Sequence, residues 1–246
     1  MRIALMTDIH ANAEAFEACL AQARAVGFDR LALLGDFVGY GPDPARVVDR
    51  VVELVGEGAI AIKGNHDEAA VRMMAGMSEN AARAIEWTRG ALDTAQKAFL
   101  DRLPLTATEG EILFVHASAK EPGRWIYILE RESAADCLAA TKARLVFCGH
   151  THVPAIYHTA GKAPPEHFRP KPRVAVPFSK VCRYVSVIGS VGQPRDHNPA
   201  ACWGLYDTAQ SSLTLHRAVY DVEVTMRKIK DAGLPEWLGR RLVEGV

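Results

Sequence analysis

The chain has no excess of either charge, because its 29 lysines and arginines balance its 29 aspartates and glutamates. A strongly basic surface for nucleic-acid strands is therefore not expected, and any site for an anion has to be local. No segment approaches about 18 uninterrupted apolar residues, so a membrane span is not predicted. The N-terminal sequence MRIALMTDIHAN carries an acid at Asp8 and no long apolar run, which does not fit a signal peptide.

Cysteine is scarce and scattered. The five cysteines are odd in number and form no Cys-x-x-Cys pair. This argues against a disulfide framework and against a thiolate zinc site, and it favours a reducing compartment. We expect a cytoplasmic protein in which each cysteine packs as a small buried hydrophobe.

Short apolar runs alternate with longer amphipathic segments over the first two thirds of the chain. Such alternation indicates a sheet with helices on its faces. The predicted strands of this part are Arg2–Met6, Arg30–Leu34, Ala59–Ile62, Glu111–Val115 and Arg144–Cys148. The predicted helices are Ala13–Val26, Pro44–Val55, a segment from about Glu68 to Arg89, a helix from an Asp93–Gln96 capping box to about Leu100, and Ser133–Ala140 with Ser133 as N-cap.

The pattern changes after His152, where short β-type runs separated by turns predict hairpins and a second, more antiparallel sheet. The runs are Val153–His158, Arg173–Val176, Tyr184–Ile188, Cys202–Tyr206 and Ser212–Arg217, followed by helices at Val222–Ala232 and Pro235–Val243. The proline-rich segment 160–173 predicts a stiff exposed loop, with a lid over the site as the alternative. We expect one domain over residues 1–246, an α/β fold of four layers (α/β/β/α) with two stacked mixed sheets flanked by helices.

Five of the predicted strands are followed by Asp, Asn or His. These segments are Asp8-Ile9-His10, Gly35-Asp36, Gly64-Asn65-His66-Asp67, His116 and Gly149-His150-Thr151-His152. In open α/β sheets the ligand site lies beyond the carboxyl ends of the strands, so these side chains can converge. Asp, His and Asn suit divalent ions such as Mn, Fe, Zn, Ni or Co. About seven candidate ligands are too many for one ion and enough for two.

The charge of such a centre favours a phosphate ester as substrate. Two divalent ions would bring four positive charges, and Asp8, Asp36 and a bridging hydroxide would bring three negative ones. The centre would then be positive by about one charge within a neutral protein, and so would attract a phosphoryl group.

The ordered motifs over residues 1–152 resemble the motif series of the calcineurin-like metallophosphoesterases. The segment Ser190–Asp196 also resembles one that is common in bacterial and archaeal members. The resemblance implies a first metal held by Asp8, His10, Asp36 and His152. It implies a second metal held by Asp36, Asn65, His116 and His150. Asp36 would bridge the two ions.

The resemblance also implies the reaction. A hydroxide between the ions would attack phosphorus in line with the leaving oxygen. His66 would stand outside the metal ligands and would protonate the leaving group or bind a phosphoryl oxygen. Asp36 and His66 are therefore the expected catalytic residues, whereas Asp67 is expected to cap the helix that follows it.

One departure from the family concerns its Ser/Thr protein phosphatases. These have an Asp and an Arg shortly after the Gly-Asp motif, where this chain has Gly39 and Tyr40. Protein phosphatase activity is therefore disfavoured. Arg195 is a candidate replacement cation, Asn12 a candidate donor to a phosphate oxygen, and Tyr40 a candidate part of a substrate wall.

Several functions stay open at this point. The first is hydrolysis of a small phosphodiester or phosphomonoester. The alternatives are a binding or scaffold protein on the same fold, as in the related retromer subunit, and a Ser/Thr protein phosphatase. A nucleic-acid polymer is an unfavourable partner for a neutral chain, and the sequence leaves a homo-oligomer open.

Overall fold

The computed structural model describes residues 1–73, 79–161 and 163–246. The strands within this part of the chain form two sheets of six strands each. They are β1 (Arg2–Met6), β2 (Arg30–Leu33), β3 (Ile60–Ala61), β4 (Thr106–Glu109), β5 (Ile112–Val115), β6 (Leu145–Cys148), β7 (Ala155–Ala160), β8 (Glu166–Phe168), β9 (Ala175–Pro177), β10 (Cys182–Val187), β11 (Ala201–Asp207) and β12 (Ser212–Ala218).

The α-helices cover the sheets and close the chain. They are α1 (Ala13–Val26), α2 (Pro44–Gly56), α3 (Asn65–Val71), α4 (Glu79–Ala91), α5 (Thr94–Arg102), α6 (Arg131–Ala139), α7 (Val222–Asp231) and α8 (Glu236–Glu244). A short 3₁₀ turn at Pro122–Arg124 follows β5. None of the described helices combines the length and the apolar character needed to cross a lipid bilayer.

Both sheets are mixed, which confirms the expected fold class. The first has the strand order β3-β2-β1-β11-β12-β9, with β1, β2 and β3 parallel and the later strands antiparallel. The second has the order β4-β5-β6-β10-β7-β8, with β5, β6 and β10 parallel. The prediction that the C-terminal strands build a sheet of their own is wrong. They are shared between the two sheets, because β11 pairs with β1 and β10 pairs with β6.

The alternation of β1 explains the layers. Ile3 and Leu5 point into the core between the two sheets, whereas Ala4 and Met6 point to the core under α1 and α2. Successive side chains of a strand face opposite sides, so a strand that is apolar on both faces lies inside the molecule. Apolar side chains of α6 cover the outer face of the second sheet in the same way.

Some predicted elements differ from the observed ones. The helix expected from about Glu68 to Arg89 is divided into α3 and α4, and residues 74–78 lie outside the described residues. The N-cap of α6 is Glu130 rather than Ser133, because Ser133 sits one turn later and its Oγ accepts the Glu130 N–H at 3.2 Å. Most other bounds agree within two residues.

The proline-rich segment 160–173 is also more ordered than predicted, apart from residue 162, which the structure does not describe. It contains β8, which pairs antiparallel with β7 at the edge of the second sheet. The prolines of this segment flank β8 and do not lie within it, so they remove none of its hydrogen bonds to β7. A proline-rich segment can therefore contain an edge strand. All five cysteines are free thiols, as predicted, and Cys182 is the only one of the five that is not fully buried.

The core between the sheets should dominate stability. We expect Phe147→Ala to lower the free energy of unfolding by about 3–5 kcal/mol, because Phe147 is fully buried against Phe114 and Tyr206 and its loss leaves a cavity. The same change at Phe168, which is 38% exposed on β8, should cost less than about 1 kcal/mol. Urea unfolding of the two variants measures the difference, and equal losses would contradict the assigned core.

Candidate metal centre

The predicted ligands come together at the carboxyl ends of strands from both sheets. Asp8 follows β1 and Asp36 follows β2 in the first sheet, whereas His116 follows β5 and His150 follows β6 in the second. Asn65 is the first residue of α3. Apart from Asn65, which is half-buried, these side chains are buried. Candidate ligands from the two stacked sheets therefore lie together at the carboxyl ends of the strands, as the sequence pattern predicts.

The first group of ligands is Asp8, His10 and His152. The Nε2 atom of His152 lies 3.2 Å from Oδ1 of Asp8, and Nε2 of His10 lies 3.8 Å from the same oxygen. The Nε2 atoms of His10 and His152 are 3.0 Å apart. Two ligands of one ion with bonds of about 2.0–2.1 Å stand at roughly this separation, so the spacing fits a shared cation.

The second group is Asp36, His116 and His150, which also offer ligand atoms within 4.8 Å of one another. Nε2 of His116 lies 3.3 Å from Oδ2 of Asp36 and 3.1 Å from Oδ1 of Asn65. The same Oδ2 atom of Asp36 is 3.7 Å from Nε2 of His10. Asp36 thus stands between the two groups, where a bridging carboxylate would have to be.

Backbone carbonyls fix the tautomers of three histidines. Nδ1 faces a carbonyl oxygen in each case: Val38 for His10 (3.1 Å), Leu34 for His116 (2.8 Å) and Gln193 for His152 (2.7 Å). A carbonyl only accepts, so Nδ1 carries the proton and Nε2 presents its lone pair to the centre. The Nε2 atom of His150 is buried and has no hydrogen-bond partner. These donors fit divalent ions.

Burial and neighbouring charges set the protonation of the centre. Burial lowers the pKa of His66 to about 4 and, together with His116, that of His150 to about 3. Burial alone would raise the pKa of Asp8 and Asp36, but the adjacent histidines hold the pKa of both carboxyls below its usual value. For His116 burial is outweighed by Asp36 and Asp8, which raise its pKa to about 9. The carboxylates are therefore ionised, the form that binds cations.

Asp67 orients the loop that carries Asp36. Its carboxylate accepts the N–H groups of Asp36 (2.9 Å), Phe37 (2.8 Å), Val38 (3.3 Å) and Gly64 (2.9 Å). The sequence predicts Asp67 as a cap in front of the helix, but the N-cap is Gly64 and Asp67 is the third residue of α3, from where its side chain accepts the Gly64 N–H. The other three contacts hold the end of β2 against the start of α3, and the His66 N–H in turn donates to Oδ1 of Asp36 at 2.7 Å.

The backbone at the ligands is unusual. Asp8, His10, Asp36, His150 and His152 all have positive φ, between 49° and 68°. Non-glycine residues in this region cost about 1–3 kcal/mol each and persist where the surrounding structure holds them. Such strain concentrates at functional sites, and here it accompanies the side chains that converge.

Three further predicted residues lie beside the ligands. The ring of Tyr40 is 4.7 Å from that of His10 and 4.5 Å from that of His66, measured between centroids. The Arg195 guanidinium lies 5.8 Å from the Tyr40 ring centre. Nδ1 of His66 is buried without a hydrogen-bond partner. These positions agree with a substrate side of the centre formed by His66, Tyr40 and Arg195, whose roles remain predictions.

Asn12 does not have the free amide that a substrate contact requires. Its Nδ2 donates to the carbonyl of Gly192 (2.9 Å) and to the hydroxyl of Tyr220 (3.1 Å). Its Oδ1 accepts from the Ala15 N–H and from the Thr225 hydroxyl, each at 3.2 Å. We therefore revise the expected role of Asn12 from phosphate contact to N-cap of α1.

Two aromatic residues that the motifs do not mark also border the centre. The Tyr127 ring stacks on His150 with centroids 3.9 Å apart and remains 48% exposed. Trp125 lies edge-on to His116 at 5.9 Å and donates its Nε1–H to Glu68 at 3.1 Å. An aromatic residue that follows a strand more often packs in the fold than lines a substrate pocket. Tyr127 differs from such packing residues because its ring stacks on the candidate ligand His150.

Comparison with known proteins places this geometry in a family. The family model of the calcineurin-like phosphoesterase superfamily domain matches residues 1–211. The chain belongs to this superfamily. An uncharacterized protein of Methanocaldococcus jannaschii is 31% identical over 249 residues, which cover 99% of this chain and 98% of that protein.

Solved structures agree with this assignment. A metallophosphoesterase from Sphaerobacter thermophilus is 35% identical and superposes with a TM-score of 0.86, with all of both chains covered. A hypothetical protein from Pyrococcus horikoshii shares the fold, with a TM-score of 0.80 at 18% identity over 100% of this chain and 98% of that one. Membership of the calcineurin-like phosphoesterase superfamily supports a hydrolase, and the buried His and Asp groups offer ligand atoms that could hold a metal ion.

The close packing of Gly149 offers a test of the centre. A Cβ at this position would lie 2.1 Å from Oγ1 of Thr7 and 2.2 Å from Oδ2 of Asp8. We expect Gly149→Ala to displace Asp8 and to weaken metal binding by about 10- to 100-fold, as loss of a supporting contact does. Gly90→Ala on α4, where a Cβ meets nothing within 4 Å, is the control. Metal content by mass spectrometry should fall in the first variant and not in the second.

Proposed function

We propose that the protein is a dinuclear metal-dependent phosphoesterase that hydrolyses a small phosphodiester or phosphomonoester. The observation that carries the proposal is the pair of buried ligand groups that meet at Asp36. When bound, two divalent ions would supply a nucleophile derived from water and the positive charge that stabilises the phosphoryl group during its transfer.

The ligand set fits two ions of borderline character, such as Mn, Fe, Zn, Ni or Co. We propose that Asp8, His10 and His152 hold one ion. Asn65, His116 and His150 would hold the other, and Asp36 would serve both. The ionised carboxylates and the neutral imidazoles of His10, His150 and His152 are in the protonation states that such ligation needs. An ion at His116 would have to displace the proton that Asp36 and Asp8 favour there.

His66 is proposed to act on the phosphoryl group. It lies beside Asp36 and Tyr40, and its Nδ1 is buried with no protein partner. Burial keeps the imidazole neutral at pH 7, so it has one N–H to donate to a phosphoryl oxygen. The negative charge of a bound phosphate favours the protonated ring, which would then pass a proton to the leaving oxygen.

Ser/Thr protein phosphatase activity is the weaker alternative. A Cβ on Gly39 would lie 2.4 Å from Nδ1 of His66, so His66 occupies the space that an Asp side chain at position 39 would need. Tyr40 fills the neighbouring position, and Arg195 is the candidate cation for an anionic group of the substrate. A pure scaffold role is also disfavoured, since a scaffold has no need of a complete, buried ligand set.

We propose that residues 1–246 act as a single domain in the cytoplasm, on a small phosphate ester, without a membrane partner. The formal net charge of zero is unfavourable for a nucleic-acid polymer as substrate.

Ester class and metal can be tested together. We expect the metal-stripped protein to gain hydrolysis of p-nitrophenyl phosphate or bis-p-nitrophenyl phosphate when Mn, Ni, Mg or Zn is added singly. Release of p-nitrophenol measures turnover, and the ratio of the two rates separates monoesterase from diesterase. Inactivity toward both esters with every one of these metals would contradict the proposal.

Asp36 should be indispensable to both ions. We expect Asp36→Asn to reduce activity to background and to lower the bound metal, because a neutral amide replaces the shared carboxylate. Metal content is measured alongside turnover at saturating metal. Full activity in this variant would show that Asp36 does not link the two groups.

His66 should matter for turnover and not for metal. We expect His66→Ala to lower kcat by about 100- to 10,000-fold, the contribution of a positioned acid or base. Its metal content should equal that of the wild type, although the His66 ring also lies within 4.8 Å of ligand atoms of His10 and Asp36. The control is His167→Ala on the exposed strand β8. Loss of metal from the His66 variant would make His66 a ligand instead.

A further inference from the structure

The two C-terminal helices pack against the metal centre although they follow the segment that the family model matches, residues 1–211. Lys228 of α7 binds Glu14 at 2.6 Å and Asp43 at 2.8 Å. Tyr40 packs against the apolar cluster of α7 and α8 that includes Leu238 and Leu242. These helices therefore form one side of the site.

Helix α8 brings a second arginine beside Arg195. Nη2 of Arg195 donates to Oε1 of Gln193 at 2.8 Å, and Nη1 of Arg241 donates to the same oxygen at 3.3 Å. Both guanidinium groups thus converge on one neutral amide oxygen. Burial and the charge of Arg195 lower the pKa of Arg241 to about 10, so both arginines are still charged at neutral pH.

No acidic side chain compensates this pair of charges. Among the residues that the structure describes, no Asp or Glu carboxylate lies within 4.0 Å of Arg195 or Arg241, and Nε of Arg241 donates to an oxygen of the C-terminal Val246. The neighbouring Asp196 is engaged by Arg217. The Nε–H of Arg195 is buried and has no partner. Two half-buried like charges with one buried, unused donor form a site that an anion would complete.

The pair is adjacent to the proposed reaction site. The backbone carbonyl of Gln193 accepts the Nδ1–H of His152 at 2.7 Å. The Arg195 guanidinium faces Tyr40, whose ring contacts the rings of His10 and His66. An anion held by the arginines would therefore lie next to a phosphoryl group held at the centre.

We propose that Arg195 and Arg241 form a subsite for a second anionic group of the substrate, a phosphate or a carboxylate. The inference rests on the proposed function and narrows it to phosphate esters that carry a further anion. One phosphoryl group offers few oxygens, and the ligand groups and His66 already face it. Two additional guanidinium forks match the oxygens of a second anion.

The experiment uses three substrates with the same three-carbon chain. They are propane-1,3-diol monophosphate, propane-1,3-diol bisphosphate and 3-(phosphonooxy)propanoate. We expect the wild-type protein to have a higher kcat/KM for the bisphosphate, the phosphonooxypropanoate or both than for the monophosphate. The compound with the higher kcat/KM shows whether the subsite prefers a phosphate or a carboxylate. Arg241→Gln should reduce that preference about 10-fold, as loss of a charge-assisted contact does.

The neighbouring arginine provides a matched control. Arg240 is exposed on α8 and is not part of the pair, so Arg240→Gln should keep the preference unchanged. Arg241 also donates to an oxygen of the C-terminal Val246, and its guanidinium carbon lies 4.4 Å from the centre of the Trp237 ring, so its replacement can disturb α8. Thermal unfolding of both variants checks for such a disturbance.

A second variant neutralises the pair without removing either arginine. Gln193→Glu places a carboxylate at the oxygen that both guanidinium groups share, so the fold should keep its stability while the preference for a second anion is lost. A wild-type ratio of one between the substrates, or an unchanged preference in both Gln193→Glu and Arg241→Gln, would overturn the inference.

Binding to the metal-free protein separates this inference from the proposed function. We expect propane-1,3-diyl bisphosphonate to bind in calorimetry, with affinity about 10-fold lower in Gln193→Glu. If no metal supports hydrolysis of any ester, the proposed function is wrong. The calorimetric titration then still tests whether Arg195 and Arg241 bind an anion. Equal affinity in wild type and variant would contradict the subsite even in an active enzyme.

Discussion

The arrangement of the centre depends on one buried carboxylate that carries no predicted ligand role. Asp67 accepts four backbone N–H groups from the ends of β2 and β3, and so fixes the loop on which Asp36 lies. Asp36 in turn is the residue that the two ligand groups share. The position of the Asp36 side chain is therefore set by a hydrogen-bonded turn, which is the kind of preorganisation that a catalytic site requires.

Much of the fold and of the candidate site could be predicted from the sequence, because strand ends, helix caps and the residues next to them are set by local patterns. The bounds of β1 and α1 follow from an apolar run and from a capped amphipathic segment, and they agree with the structure. The convergence of the candidate ligands could be predicted because each of them follows a predicted strand. Parallel strands end at a common edge, so knowledge of the strand ends was enough to bring Asp8, Asp36 and His116 together.

The remainder depends on contacts between distant residues. No local pattern shows that β11 pairs with β1 or that β10 inserts between β6 and β7. The amide of Asn12 is able to donate a hydrogen bond to a phosphate oxygen. Only the positions of Tyr220 and Gly192 show that this amide already donates to other groups of the protein. Arg241 belongs to no motif, and it joins Arg195 only through the packing of α8 against the centre.

The pairing of β1 with β11 has a consequence for how the chain acquires its shape. The register joins Arg2 to Asp207 and Leu5 to Gly204, so β1 keeps one edge unpaired until β11, about two hundred residues later in the sequence, has been synthesised. Contacts between such distant segments slow folding, and unpaired strand edges favour aggregation. Until β11 is available, the unpaired edge of β1 is therefore a place where one nascent chain can associate with another.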